Sequence, residues 1–263
     1  MSLAPYSWLM LGGITVSLAM WSRLARRDGR LLTLYVAALA GAFLGAKAVY
    51  FLSEGYLHLR EPDVWLQLAT GKSILGGLLG GYGAVELAKR VTGYSGVTGD
   101  WFALIVPVGI ILGRIGCLLH GCCQGIECRA AWFAVSDAYG HPRWPAVPVE
   151  ILFNLLAVGG LYSIRRAGML SGQHFHLYLI AYGAFRFLHE FLRDEPRLVG
   201  SLTGYHLGAL AVLALGLVMF VRRRQQFRRL APDEGPSANE HDERPLPQPR
   251  MNPARHSPNE RVK

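Results

Sequence analysis

The sequence predicts an all-α fold: a polytopic membrane protein with seven transmembrane helices and an extracytoplasmic loop over the functional site. Three observations support this prediction. Apolar residues make up 51% of the 263 residues. They recur in runs of about 20, the length that crosses roughly 30 Å of hydrocarbon. Basic residues collect between the runs. This pattern indicates a helical membrane protein rather than a soluble core.

Seven apolar windows follow one another along the chain. They centre on residues 4–24, 32–53, 73–91, 100–119, 148–167, 174–194 and 203–221. The first window is interpreted as a retained helix and not as a signal peptide, because no basic segment precedes it and several arginines follow it. The third contains LGGLLGGYG, and such small residues let neighbouring backbones approach closely. We therefore expect this helix to pack in the interior.

Lys and Arg residues are distributed unevenly between the two sets of loops. The loops after the first, third, fifth and seventh windows hold most of them. By the positive-inside rule, the amino terminus lies outside, the carboxyl terminus in the cytoplasm, and loops 54–72 and 120–147 face the exterior. This basic charge beside the inner leaflet favours anionic lipid as a partner, and we expect no nucleic acid.

Two parts of the chain differ in composition. Residues 1–230 are predicted to form the membrane domain. Residues 231–263 are rich in proline and charge and poor in aliphatic side chains. Such a segment cannot bury enough apolar surface to offset its ordering entropy. We therefore expect a disordered cytoplasmic tail.

Three cations fall inside predicted spanning segments: Lys47, Arg114 and Arg186. Each costs about 2.5 to 3.5 kcal/mol on insertion scales and needs a partner or a purpose. Arg114 and Arg186 lie about 7 and about 12 Å below the outer ends of their helices. Both side chains are thus predicted to line one pocket that opens outward. A guanidinium fork matches phosphate, which predicts a phospholipid headgroup as the ligand.

The sixth window places Tyr182, Arg186 and Glu190 at successive i,i+4 positions, and therefore on one helical face. A hydroxyl, a guanidinium and a carboxylate on one face favour a functional site. The alternative is that Arg186 and Glu190 only neutralise each other and hold the bundle together.

Two motifs resemble those of a known family. The segment from 113 to 125 has Gly113, Arg114, Gly116 and Gly125 at the positions of a G-R-x-G signature that ends in glycine. The segment YGAFRFLHEF resembles a late-helix motif Y-G-x-x-R-F-x-x-E-F. These residues resemble the prolipoprotein diacylglyceryl transferases. Supporting matches are spread along the chain: Tyr6, Lys47, Asp100 and the segment from Pro145 to Glu150.

The resemblance implies a reaction and a place in the cell. Enzymes of this family move the diacylglyceryl group of phosphatidylglycerol to the lipobox cysteine thiol of an exported prolipoprotein. They do so on the outer, periplasmic face of the bacterial inner membrane. The resemblance therefore implies two partners, an anionic phospholipid and a prolipoprotein acceptor, and no cofactor.

Candidate site residues follow from the two arginines together with the matched motifs. The candidate catalytic residues are Arg114, Arg186, Tyr182, Glu190 and His120. The candidate substrate-binding residues are Tyr6, Lys47, Gly113, Gly116, Cys117, Gly125, Gly76 and Gly77. The arginines are expected to hold the phosphate and to stabilise the anion that leaves.

The chain departs from the family pattern at several positions. Leu75 stands where the family has a histidine, and Cys117, His120 and Cys122 replace two asparagines and a glutamate. The base that deprotonates the acceptor thiol is thus open between His120, His189 and no dedicated base at all. The alternative function is a divergent or inert relative that binds phospholipid or serves a different acceptor.

The four cysteines lie within a dozen residues: Cys117, Cys122, Cys123 and Cys128. Extracytoplasmic thiols commonly form disulfides, and the pair expected here is Cys128 with Cys122 or Cys123. Metal ligation with help from His120 is disfavoured because the spacing lacks paired C-x-x-C knuckles, and no metal is predicted. Two further interpretations are a covalent role for one thiol and simple packing as small apolar residues.

Overall fold

A computed structural model describes residues 4–26 and 28–230. Within these residues there are eight α-helices. They are α1 (Ala4–Ala25), α2 (Arg30–Ser53), α3 (Val64–Thr70), α4 (Ile74–Thr92), α5 (Gly99–His120), α6 (Ala146–Arg166), α7 (His174–Glu190) and α8 (Gly204–Leu230). Two short antiparallel hairpins join β1 (Val135–Ser136) to β2 (Pro142–Arg143) and β3 (Arg197–Val199) to β4 (Leu202–Thr203). The predicted tail, 231–263, lies outside the described residues.

The mostly helical architecture confirms the predicted fold class in its coarser form. Every helix except α3 lies over one of the seven apolar windows. Four described helices are long and apolar enough to cross a membrane: α2, α5, α6 and the part of α8 from 204 to 226. Among the remaining helices, α7 has 17 residues and α4 has Lys89 and Arg90 in its last turn.

The long helices present apolar side chains outward. Only 22 to 39% of the residues in the four most apolar windows are buried inside the protein. Leu44, Leu156 and Leu207 are each more than 60% exposed. Charged side chains such as Arg114, in contrast, are buried. Apolar side chains that face outward, with the charged side chains of the spanning helices turned inward, are the arrangement that lipid requires.

Helix α4 packs against α2 through glycines, as its composition predicts. A Cβ at Gly76 would overlap the carbonyl oxygen of Gly45, and one at Gly80 would overlap that of Gly41. No real side chain tolerates such an overlap, so glycine is what allows these two backbones to touch. The contact buries one face of α4, with Leu75 and Leu78, while Leu87 and Val91 on the helix stay exposed.

The loops after α5 and α7 meet at one end of the bundle. The Ile126 N–H donates to the Leu192 carbonyl at 3.1 Å, and Gly125 forms an isolated bridge with Arg193. Gly125 also passes close to the residue that follows β2, because a Cβ there would lie 2.5 Å from the Trp144 carbonyl oxygen. These contacts hold the ends of α5 and α7 together, next to the residues that the sequence singles out.

Candidate active site

One long cavity of about 1330 Å³ extends through the bundle between α2, α4, α5, α7 and α8. Most of its wall is apolar, including Leu78 and Phe102. At one end, which we call the arginine end, the wall contains the side chains of Arg114, Arg186 and Arg193. The two arginines predicted from the sequence to share a cavity do share one.

Arg114 reaches from α5 to a carboxylate on α6. Its Nη2 lies 2.8 Å from Oε2 of Glu150, which is completely buried. The other oxygen of Glu150 accepts a hydrogen bond from the Tyr182 hydroxyl at 2.8 Å. Tyr182 on α7 thus orients the carboxylate that holds Arg114, and three helices are linked by one buried polar chain.

Arg186 pairs with Glu190, one turn later on α7. Glu190 also accepts a hydrogen bond from Thr203 Oγ1 at 3.0 Å, and both members of the pair are at least 95% buried. The predicted common face is therefore present, and so is the neutralising pair that was its alternative. Arg186 also lines the cavity, so its guanidinium group faces the cavity even though it is paired with Glu190.

Arg193 is a third buried guanidinium that the sequence did not single out. It lies three residues beyond α7, and its Nη2 donates to Glu195 Oε1 at 2.6 Å. Three guanidinium nitrogens at this end have no hydrogen-bond partner among the described residues: Nε of Arg114, Nε of Arg186 and Nη1 of Arg193. Buried donors of this kind are rare in proteins and require an explanation. A bound anion would provide one.

Two carboxyl groups, Glu54 and Glu195, face each other beside the arginines and line the same cavity. The Tyr205 hydroxyl donates to Glu54 Oε1 at 2.9 Å. Burial, together with repulsion and hydrogen bonding from Glu195, raises the pKa of Glu54 to about 7. Glu54 thus keeps its proton up to near neutral pH. The sequence offered no signal for this pair, because its members are 141 positions apart in the chain.

Three of the four cysteines come together at the arginine end. All four are free thiols. The sulfur atoms of Cys117, Cys122 and Cys123 lie within 4.8 Å of one another. Cys128, the predicted disulfide partner of Cys122 or Cys123, is not in this group; its N–H instead donates to the Pro142 carbonyl at 3.0 Å. The predicted pairing is therefore not the one that the fold brings together.

The remaining candidate residues divide between the cavity and the packing. His120, Cys117, Gly113 and Gly77 line the cavity. Gly116 is buried within α5, and Gly125 and Gly76 face neighbouring backbones. The side chain of Tyr6 lies outside the described part of the structure. Gly76 and Gly125 thus have a packing role, and their predicted substrate contacts stay predictions.

Lys47 has a different partner from the one expected. Its ammonium group donates to the carbonyl oxygens of Leu68, Ala69 and Gly71 at 2.6 to 2.9 Å. An ammonium group has three donors, and here all three hold the end of α3. The geometry therefore supports a structural role, and the predicted lipid contact of Lys47 stays a prediction.

A long apolar cavity with buried guanidinium groups at one end has the shape and charge to hold an amphiphile with an anionic head. Together with the outward-facing apolar helices, it defines the class as an integral membrane protein with a candidate lipid site. The prolipoprotein diacylglyceryl transferase family matches residues 1–222. The chain belongs to this family.

Curated relatives give the same result. The chain is similar to the phosphatidylglycerol–prolipoprotein diacylglyceryl transferase of Bordetella avium, with 30% identity over 84% of this chain and 86% of the relative. The transferases of Methylocella silvestris and Clostridium tetani are also similar, at 30% identity over 83% of this chain and 27% over 82%. These matches cover 85% and 91% of the relatives.

Proposed function

We propose that this protein is a phospholipid-dependent diacylglyceryl transferase. It moves the diacylglyceryl group of phosphatidylglycerol to the lipobox cysteine thiol of an exported prolipoprotein. Family membership over residues 1–222 supports the reaction, as do the names of the similar proteins. The single observation on which the site rests is the convergence of Arg114, Arg186 and Arg193 on the end of one apolar cavity.

In this proposal the lipid enters with its acyl chains along the apolar wall and its phosphate at the arginine end. The three unpartnered guanidinium nitrogens are donors that the phosphate can satisfy. The acceptor sulfur attacks the glyceryl carbon, and the carbon–oxygen bond to phosphate breaks. Glycerol phosphate leaves with the electron pair. Fixed, buried positive charge stabilises this anion, which lowers the barrier.

Tyr182 and Glu190 act as positioning residues. Tyr182 holds the carboxylate of Glu150 against Arg114, and Glu190 holds Arg186. His120 lines the cavity and is the candidate base on geometry. The glycines at 113 and 77 leave room on the cavity wall for the lipid.

The topology proposed with this function has seven helices spanning the bacterial inner membrane. The amino terminus is outside, the tail is cytoplasmic and the site faces the periplasm. Basic residues lie at the ends of α4 and α6, away from the arginine end: Lys89, Arg90, Arg165 and Arg166. Their concentration there supports a cytoplasmic location for those ends. The loop with β1 and β2 then lies outside, where exposed Trp132 and Tyr139 suit the interface.

A second candidate is a relative that binds phospholipid without catalysing transfer to a lipobox cysteine. The observation in its favour is Leu75, which occupies the position of the family histidine, lines the cavity and is only 1% exposed. An apolar side chain at that position cannot accept a proton.

Complementation separates these two candidates. Expression of the full chain in a bacterium depleted of its own transferase should restore growth and lipoprotein modification. In parallel, the purified protein in phosphatidylglycerol vesicles should add the mass of one diacylglyceryl group to a lipobox peptide. Binding of phosphatidylglycerol without growth or mass addition would support the second candidate instead.

A further inference from the structure

The cysteine cluster is built in a way that packing does not explain. It is formed by the end of α5, which contributes Cys117, and by the turn that follows, which contributes Cys122 and Cys123. The Cys123 and Cys117 sulfurs are 3.9 Å apart. Cys123 has a positive φ of 63°, a conformation that costs a residue with a side chain about 1 to 2 kcal/mol. The turn thus accepts strain and directs three sulfurs to one point.

The distances suit a thiophilic metal ion. Zinc binds thiolate sulfur at about 2.3 Å in tetrahedral geometry, which places two ligand sulfurs about 3.8 Å apart. The Cys117–Cys123 distance already has this value within a tenth of an ångström. The third sulfur lies within 4.8 Å of both and has to move by no more than about 1 Å. Thiolate ligands select zinc or copper(I) over harder cations.

The surroundings leave one coordination position open. Cys117, Cys122 and Cys123 all line the large cavity, and they also line a second cavity of about 100 Å³ below the β1–β2 hairpin. The cluster therefore forms the wall between the two cavities. Three protein ligands with a fourth position that faces a substrate cavity is the arrangement of catalytic zinc sites, whereas structural sites are closed by four ligands.

Charge supports the same assignment. Three thiolates on a divalent ion have a net charge of −1, which needs compensation in a site of low dielectric. Arg114 and Arg193 are both close enough to Cys123 to interact with it electrostatically. These guanidinium groups would stabilise the anionic metal complex and would themselves gain a partner.

We infer that Cys117, Cys122 and Cys123 bind one zinc ion whose fourth position faces the large cavity and takes the sulfur of the acceptor cysteine. The spacing C-x4-CC does not predict such a site, because the turn and not a knuckle brings the sulfurs together. The role of the metal rests on the proposed function, in which the acceptor is a thiol; the binding site itself does not.

Coordination to zinc activates the acceptor thiol for the transfer step. The acceptor thiol releases its proton to water when its sulfur joins the zinc, because a coordinating thiol is deprotonated. The thiolate sulfur then forms the bond to the glyceryl carbon, and glycerol phosphate departs with the electrons of the broken carbon–oxygen bond and takes up a proton from water. The metal thus performs the deprotonation that Leu75 cannot, and His120 is then not required as the base.

Metal binding is tested on the full chain, purified in detergent with a non-thiol reductant and then incubated with zinc or cobalt(II). The wild-type protein should retain one metal ion per chain after desalting, and cobalt should show the absorption of thiolate-to-cobalt charge transfer. Cys128→Ser is the matched control and should behave as wild type. Cys117→Ser, Cys122→Ser and Cys123→Ser should each bind zinc at least about tenfold more weakly.

A complementary measurement uses only the unmodified chain, so that misfolding of a variant does not decide the outcome. Zinc should protect three of the four thiols from alkylation, and a chelator should restore their reactivity. No retained metal in the fully reduced wild type, or equal loss of metal in Cys128→Ser, would overturn the inference. Two thiols lost to oxidation with no metal bound after reduction would mean that the cluster is a redox pair.

The role of the metal in transfer is measured separately from metal binding. Removal of zinc should abolish transfer to the lipobox peptide, and readded zinc should restore it, while phosphatidylglycerol binding to the arginine end is unchanged. A protein that binds zinc and lipid but never transfers would contradict the proposed function and leave the metal site standing. A protein that transfers equally well without metal would contradict the role of zinc and leave the function standing.

Discussion

The two ends of the large cavity contain the same kinds of residue in different settings. At the arginine end, Arg114 and Arg186 are 6% and 4% exposed, and their carboxylate partners are buried as well. At the other end, which we call the lysine end, Lys89 pairs with Glu86 at 2.8 Å, with side chains 19% and 38% exposed. Exposed pairs of this kind contribute little, while a buried charge that loses its partner is costly.

The two ends also differ in where the carboxylate partner of each basic residue lies in the chain. Lys89 finds Glu86 three residues away on its own helix. Arg114 on α5 finds Glu150 on α6, and Tyr182 on α7 holds that carboxylate in place. A pair within one helix forms wherever the helix forms, whereas the Arg114 pair requires the packed bundle. Both ends of the cavity are charged, but only at the arginine end are the charges buried and held in place. This property distinguishes a functional site from a surface.

The largest expected effect is the loss of a guanidinium at the arginine end. Arg114→Ala or Arg186→Ala should abolish transfer, with a drop in rate of at least about 100-fold, because a fixed donor that stabilises the leaving anion is removed. The measurement is the initial rate of diacylglyceryl addition to a lipobox peptide in phosphatidylglycerol vesicles. Both variants should still insert into the membrane. Wild-type activity in both would refute the assigned role.

A smaller effect is expected at Glu54, beside the arginines. Burial and Glu195 raise its pKa from 4.5 to about 7, so the folded protein keeps a proton that the unfolded chain loses within this window. Stability from this group is therefore present below pH 4.5 and is lost as pH rises through 7. Tyr205, which donates to Glu54, and the nearby His58 oppose the shift only in part.

Glu54→Gln removes the titration. Its unfolding temperature in detergent should exceed that of wild type increasingly as pH rises from about 5 to about 8. Glu127→Gln, in the exposed loop, is the matched control and should follow the wild-type curve. If the difference between Glu54→Gln and wild type is constant with pH, the pKa of Glu54 is not raised in the folded protein.

The smallest effect is expected at the lysine end. Lys89→Ala removes an i,i+3 pair at a partly exposed position, which is worth about 0.3 to 0.5 kcal/mol. Its unfolding temperature and its transfer rate should both stay close to the wild-type values. A loss as large as that of Arg114→Ala would break the distinction between the two ends.

Helix positions and the two central arginines could be predicted from the sequence. Every long helix lies over an apolar window because length and hydropathy are local properties of the chain. Arg114 and Arg186 were recognisable because a charge in an apolar run is costly wherever the helix packs. The glycines of α4 likewise indicated the close contact with a neighbouring helix, which is α2.

Other site residues had no comparable signal. Arg193, Glu54 and Glu195 lie just outside the helices, where charged residues are common and normally exposed. Lys47 resembled a lipid-binding cation, yet its donors satisfy the last carbonyls of α3. No rule of sequence spacing distinguishes these two outcomes, because both depend on which loop returns to the helix end.

Hydrophobicity and helical period act over one segment at a time, so the order of amino acids is enough to predict the helices, their apolar exterior and two costly charges inside. The packed bundle is what brings a third arginine to these charges, sets Glu150 opposite Arg114 from another helix and gathers three sulfurs beside them. Such contacts depend on the packing of segments far apart in the chain. Burial strengthens the electrostatic interactions of each charge, and it exists only once these segments have packed.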